Sequence, residues 1–156
     1  MAASTPAIAE LRAAGLAFSE HRYRHDPGAA FGMEAAQALS VPEQTVFKTL
    51  LCVVDDRPHV AIISVNCQLD LKAVATAAAG KRAEMMPVAV AERLTGYIAG
   101  GISPFGQRKR LPTLVDASAE LYEVMYVSAG RRGFDIGIAP GDLISLLHAT
   151  VADIAR

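Results

Sequence analysis

The sequence predicts an α+β domain built on a mixed sheet. Three observations carry this reading: helical patterns cluster in the first hundred residues, β-rich runs lie on both sides of them, and regular βαβ alternation is missing. The chain has 156 residues, of which 52% are hydrophobic and 20% charged. That length fits one domain, 1–156, and two would leave each with too small a core.

The elements follow in order. Thr5-Pro6 offers a polar cap and a residue preset for a first helical turn, and Ile8 and Leu11 continue the pattern to a stop at Gly15. Ala17–Arg24 is polar with Phe18 and Tyr23 embedded, which predicts an extended segment broken at Asp26-Pro27-Gly28. Phe31 to Ser40 reads as a second helix. VFKTLLCVV, closed by Asp55-Asp56-Arg57-Pro58 and answered by HVAIISV, has the pattern of two strands joined by a tight turn. Asp70 caps a helix holding Leu71, Val74 and Ala75 and ending at Gly80, and Pro87 opens another through Leu94. After Gly96 comes the loop GGISPFGQRKRLP, then three short apolar runs at Thr113–Val115, Glu123–Val127 and Phe134–Ile138 that read as strands. Gly141-Asp142 precedes a terminal helix through Leu147, with Asp153 and Arg156 at its tail.

Composition removes several classes of function. Lys and Arg number 15 against 16 Asp and Glu, a net charge of −1, so a polyanionic partner must meet a local basic patch. No apolar run approaches the roughly 20 residues that span a bilayer. Glu10 and Arg12 interrupt the first apolar stretch, which lacks the form of a secretory signal, so the cytosol is the expected location. Cys52 and Cys67 lack CxxC spacing and sit in apolar segments, as buried structural thiols do. Among His21, His25, His59 and His148 the first two are four apart, but in an extended segment that spacing does not converge on a metal. Neither a metal nor another cofactor is expected.

Four features could carry chemistry. Lys48 interrupts the apolar face formed by Val46, Leu50, Cys52 and Val54, either as an edge-strand or snorkelling lysine or as an ammonium at a pocket mouth. The loop Gly100-Gly101-Ile102-Ser103-Pro104 is either an ordinary tight turn or a close approach of free amides to a ligand. Ser103 sits in no nucleophile elbow, and Pro104 removes the amide such an elbow uses. Arg108-Lys109-Arg110 and Arg131-Arg132 are either solvated charge or, flanking one pocket, contacts to phosphates. Asp135, in GFDIGI, either orients a ligand or pairs with Lys48, or else faces solvent.

Taken together, VFKTLL, QLDLKAVA, TGYIAGGISPFGQRKRLPTLVD, YVSAGRRGFDI and GDLISLL resemble the YbaK/EbsC family nearly end to end, and most of all its YbaK branch. That branch comprises Cys-tRNA(Pro) deacylases, free-standing relatives of the editing domain of bacterial prolyl-tRNA synthetase. The resemblance implies a mixed, β-barrel-like sheet with surrounding helices. It implies that Lys48 binds near the tRNA 3′ end and that Gly100 and Gly101 offer amides to the scissile carbonyl. Tyr23, Phe31, Thr49, Ser128 and Asp135, with Ile102, Ser103 and Pro104 of the loop, would line the pocket. Arg108, Lys109, Arg110, Arg131 and Arg132 would face the tRNA. The stretch PGAA before Phe31 departs from the longer, polar version of the family and shifts the expected edge of the pocket.

The resemblance also implies substrate-assisted cleavage, in which the cysteinyl thiol attacks its own ester and leaves as a cyclic thioester. An intramolecular step can replace much of what a protein nucleophile supplies. A thiol pKa of about 8.5 leaves a few per cent as thiolate at neutral pH. With a net charge of −1, tRNA selection is expected from a transient partner, prolyl-tRNA synthetase. A water-using Ala-tRNA(Pro) deacylase and a non-catalytic aminoacyl-tRNA or synthetase-binding module are the competing readings.

Overall fold

The computed structural model describes residues 4–26 and 31–156. Helix α1 (Pro6–Ala13) begins where the sequence predicts, with the Thr5 hydroxyl accepting the Ile8 N–H at 3.2 Å. Strand β1 (Ser19–Arg22) and helix α2 (Phe31–Leu39) follow. Strands β2 (Phe47–Val54) and β3 (Arg57–Ser64) form the expected hairpin, with Phe47 opposite Ser64 and Val54 opposite Arg57. Its turn residues Asp55 and Asp56 have φ of 47° and 69°, the left-handed pair whose twist matches that of the strands. Aspartate serves here because the Asp55 carboxylate accepts the N–H groups of Lys81 and Arg82 at 2.9 and 3.0 Å. The Lys81 amide, followed by that of Arg82, holds this carboxyl below its ordinary range.

Asp70 caps α3 (Leu71–Ala77) by accepting the Ala73 N–H at 3.1 Å. Then come β4 (Ala83–Met85), α4 (Val88–Thr95), β5 (Thr113–Asp116), β6 (Met125–Arg131), β7 (Phe134–Ile138), α5 (Pro140–Leu147) and β8 (Thr150–Ala152). The expected mixed sheet is present, divided into two sheets instead of rolled into one barrel. The larger runs β4-β2-β3-β5-β8, antiparallel through β3 and parallel from β3 to β5 and β8. The smaller, β1-β7-β6, is antiparallel throughout. A bridge between Val46 and Tyr126 ties the two.

The main core lies between the sheets. Phe47, Leu51, Val60 and Ile62 of the hairpin pack with Val127, Ala129, Phe134, Ile136 and Ile138 of the smaller sheet, and α1 adds Ile8 and Leu11. The opposite face of the hairpin carries Cys52, Val54, Ala61 and Ile63 against Val74 of α3. Both faces of β2 and β3 are therefore covered, and this explains why their sequence reads as a nearly unbroken apolar run. A third cluster joins Ala35 and Ala36 of α2 to Val46, with Tyr23 and Tyr126 against it.

Several elements differ from the sequence reading: α3 stops at Ala77, short of Gly80, and Arg57 and Pro58 belong to β3 instead of the turn. The strand expected at Glu123–Val127 begins at Met125 and runs on to Arg131, since its partner β7 continues the ladder to Phe134. The strands β4 and β8 have no sequence counterpart. Beyond α5 the tail leaves the helix, with the Asp116 carboxylate accepting the N–H groups of Ile154 and Ala155 at 3.0 and 3.1 Å. Among the described residues no helix is long and apolar enough to cross a membrane.

Candidate active site

A cavity of about 410 Å³ opens where the two sheets and α2 meet. Strand β2 supplies one wall from Phe47 to Leu51, α2 contributes Gly32, Met33 and Ala35, and Met86 and Ala91 add a further wall that opens to solvent at Met85 and Val88. Tyr23, Ser128 and Asp135 reach it from the smaller sheet, and Ala99, Gly100 and Ile102 from the loop. The lining is mostly apolar with a few converging polar groups, as in sites for small ligands.

Lys48 pairs across the ladder only with Ile63 of β3, because β4 joins β2 no earlier than Cys52. The strand is thus interior at one end and an open edge at Lys48, which reconciles the edge-strand and pocket-mouth readings. Among the described residues its half-buried ammonium has no ion pair or hydrogen bond, so the pairing with Asp135 is not formed. Thr49 contributes more than a wall. The Leu51 carbonyl accepts the Met86 N–H at 3.1 Å and so points away from β3, whereas the Val46 carbonyl accepts the Val65 N–H at 2.8 Å. Alternation along the strand then turns the N–H and C=O of Thr49 away from β3, to the open edge. Its hydroxyl, buried in the cavity wall, has no partner among the described residues.

Asp135 is 6% exposed, which excludes the solvent-facing reading. Burial raises its carboxyl to about 6, partly countered by the hydrogen bond that the Tyr23 hydroxyl donates to it. The Tyr23 phenol is itself pushed up, by burial first and then by Asp135 and Glu34. Ser128 stands opposite Asp135 in the β6–β7 register, and its hydroxyl accepts the Gly130 N–H at 3.1 Å. The side chains of Tyr23, Ser128 and Asp135 lie on the face of the smaller sheet opposite Phe134 and Ile136, which explains polar residues alternating with core residues along these strands.

The loop corrects part of the expected pocket. Gly101 donates its N–H to the Ile98 carbonyl at 2.8 Å and is buried against the backbone of Arg131, where a Cβ would stand 2.6 Å from Arg131 Cα. Gly101 is therefore glycine for packing, and its amide is not available to a substrate. The N–H groups of Gly100, with φ of 87°, and of Ile102 donate to none of the described residues. Ser103 is fully buried away from the cavity and accepts the Phe105 N–H at 3.3 Å, and Pro104 lines a separate small cavity with Glu10 and Arg110. Neither reaches the site. Phe31 begins α2, but its side chain, like the stretch 27–30, lies outside the described residues.

The basic clusters separate. Arg132 donates to the Ala99 carbonyl at 2.9 Å and stays at the loop with Arg131. Arg108 lies over Gly96 on the other side of the same turn, whereas Arg110 faces Glu10, 3.6 Å away, and the Leu146 carbonyl. Lys109 is exposed. Of the two clusters, none lines the large cavity. Cys52 is buried on the far face of β2, its thiol pushed up to about 11 by burial, whereas Cys67 is only half-buried, unlike the buried position expected of it; both are free, and neither lines the cavity. Among the described residues no cluster of metal-ligating side chains occurs. Sequence reasoning missed Met33, Met85 and Met86, whose flexible side chains shape the cavity. Only the Met85-Met86 doublet ahead of Pro87 hinted at them.

The sequence model of the aminoacyl-tRNA editing domain matches residues 25–146, a span that contains every cavity-lining residue on β2, the loop and β7. The chain belongs to the aminoacyl-tRNA editing domain family. A relative in Enterococcus faecalis, named as the Cys-tRNA(Pro)/Cys-tRNA(Cys) deacylase EbsC, is 41% identical over 120 residues, which are 76% of this chain and 73% of that protein. The fold recurs in a crystal structure described as that of a trans-editing enzyme for prolyl-tRNA synthetase, with a TM-score of 0.84 at 24% identity over 99% of both chains. A crystal structure of a hypothetical protein gives 0.88 at 21% identity, over 97% of this chain and all of that one.

Proposed function

We propose that this editing domain hydrolyses mischarged aminoacyl-tRNA, with Cys-tRNA(Pro) as substrate. The observation that carries the reading is a cavity holding an unpartnered ammonium at Lys48 and unengaged backbone amides, with no activated protein nucleophile among the described residues. The name of the 41% identical relative supports the choice of ester.

The chemistry follows from these groups. Asp135, ionised above about pH 6, receives the α-ammonium of the aminoacyl ester and turns the cysteinyl side chain toward its own carbonyl. The thiol loses its proton and the thiolate attacks, forming a C–S bond. The C–O bond to the ribose breaks, and the departing 3′ oxygen takes up a proton. Water later opens the cyclic thioester. Charge that develops on the carbonyl oxygen is met by the amides of Gly100 and Ile102, by the Thr49 edge and by Lys48, all oriented before reaction. Cysteine requires such a second site because discrimination by a methylene in an apolar pocket is worth only about 1–3 kcal/mol. With a net charge of −1 the chain draws its tRNA selectivity from prolyl-tRNA synthetase in a transient complex, in the cytosol.

Release of labelled amino acid from Cys-, Ala- and Pro-tRNA(Pro) tests this reading. Loss of cysteine alone, cut at least a hundredfold by Lys48→Ala in a folded protein, is the expected result. Cleavage of the alanyl ester would replace it with a water-using activity, and binding without turnover would make the domain a carrier module.

A further inference from the structure

The turn Thr95–Gly101 borders the cavity and carries exposed apolar surface. Ile98 at its crest is 66% exposed, and Val88 and Met85 at the cavity mouth are 60% and 47% exposed. These three belong to one surface: Val88 and Glu92 are one turn apart on α4, the Glu92 carboxylate accepts the Ala99 N–H at 2.8 Å, and Ala99, Val88 and Met85 all line the mouth. Large apolar side chains beside a ligand cavity, unlike isolated exposed ones, mark a contact surface.

Cationic groups flank the Ile98 end of this surface, while the exposed acid beside Met85, Glu84, is paired with Arg82 at 2.8 Å. The Arg108 guanidinium lies over Gly96, 3.5 Å from where a Cβ would stand, and donates to the Arg93 carbonyl at 3.4 Å, and Arg132 is fixed beyond Ile98 through the Ala99 carbonyl. Arg93 and Lys109 add exposed positive charge nearby. Glu92, the only acid between Val88 and Ile102, is engaged with the Ala99 amide. An apolar crest between two guanidinium groups matches the unpaired end of a nucleic acid strand, where flat apolar base faces alternate with phosphates.

Resting on the editing reading, we propose that the Ile98 crest, with Val88 and Met85, is a shelf for the last bases of a single-stranded RNA 3′ end. Arg108 and Arg132 contact the phosphates on either side of it. The shelf holds the strand so that its terminal ester drops into the cavity. Arg110 is not part of it, since its guanidinium already faces Glu10 and the Leu146 carbonyl.

Three cysteinyl esters separate the contributions: the ethyl ester, the 3′-adenosine ester and the ester of an RNA minihelix ending in an unpaired 3′ tail. Wild-type protein is expected to prefer them in ascending order of kcat/KM. Ile98→Ser lowers the adenosine-to-ethyl ratio about tenfold, with the change in KM. Arg108→Ala lowers only the minihelix-to-adenosine ratio and reduces the slope of log KM against log salt by about one. Because Arg132 also anchors the loop, Arg132→Lys accompanies Arg132→Ala, and the lysine variant should recover most of the minihelix preference. Equal kcat/KM for all three esters in the wild type, or loss of all three in parallel in the Ile98 and Arg108 variants, would overturn the shelf. Failure of the wild type to cleave any ester would overturn the editing reading itself and the shelf with it.

Discussion

Asp135 and Thr49 show what single residues contribute to this site. A carboxyl at about 6 in the folded chain, against an ordinary 3.8, binds its proton more tightly folded than unfolded. Its linkage therefore lowers stability as pH rises from about 4 to 6, and the penalty is fully present above that window. Asp135→Asn removes it, with an expected gain on the order of 2–3 kcal/mol at pH 7.5 and little at pH 4, read by urea unfolding at both values. The same variant loses the acidic limb near pH 6 from the kcat/KM profile and most of the activity. Thr49 has the same logic without charge. A buried hydroxyl lacking a partner costs about 1–3 kcal/mol, so Thr49→Val is expected to raise stability by about 1 kcal/mol while raising KM several-fold. Asp135 was visible in the sequence as a carboxylate in an apolar strand, whereas Thr49 entered only through the family resemblance. Burial and the missing partner were not visible there, since they depend on α2 and the second sheet closing over them.

Among the elements, those governed by local chemistry were legible: the Thr5 and Asp70 caps, the β2–β3 hairpin with its Asp55-Asp56 turn, and the strand at Phe134–Ile138. The three-residue strands β4 and β8 were not, because a segment that short shows no period and is held by distant partners at Cys52–Val54 and Leu114–Asp116. The loop was legible as a glycine-rich turn able to border a cavity, but not in its division of labour. Gly100 faces the cavity, while Gly101 packs against Arg131 and Arg132. Gly101→Ala should therefore push the loop off the smaller sheet, reducing kcat at least tenfold although its own amide touches no substrate. An activity equal to wild type in that variant would show that loop position does not matter. The same close packing couples the amides of Gly100 and Ile102 to the β6–β7 turn, so the site's electrostatics depend on a contact outside the cavity.

For the whole molecule, the site is a junction between two sheets of unequal support. The larger has five strands with core on both faces, and the smaller has three, covered on one face by the main core. Lys48 and Thr49 belong to the first and Asp135 to the second, with Tyr23 just past the end of the second's strand β1. β1 is the edge of the smaller sheet, pairs with β7 alone and is exposed at three of its four residues. Its pairing of Ser19 with Gly137 closes a loop of 118 residues, a contact formed late in folding and surrendered early. Amide exchange in β1 should then run ahead of exchange in β2 and β3, and activity should disappear at a urea concentration below the global transition. Tyr23 follows directly on β1, so the first sub-global opening of this protein removes the partner of Asp135 and dismantles the site while the main core is still closed.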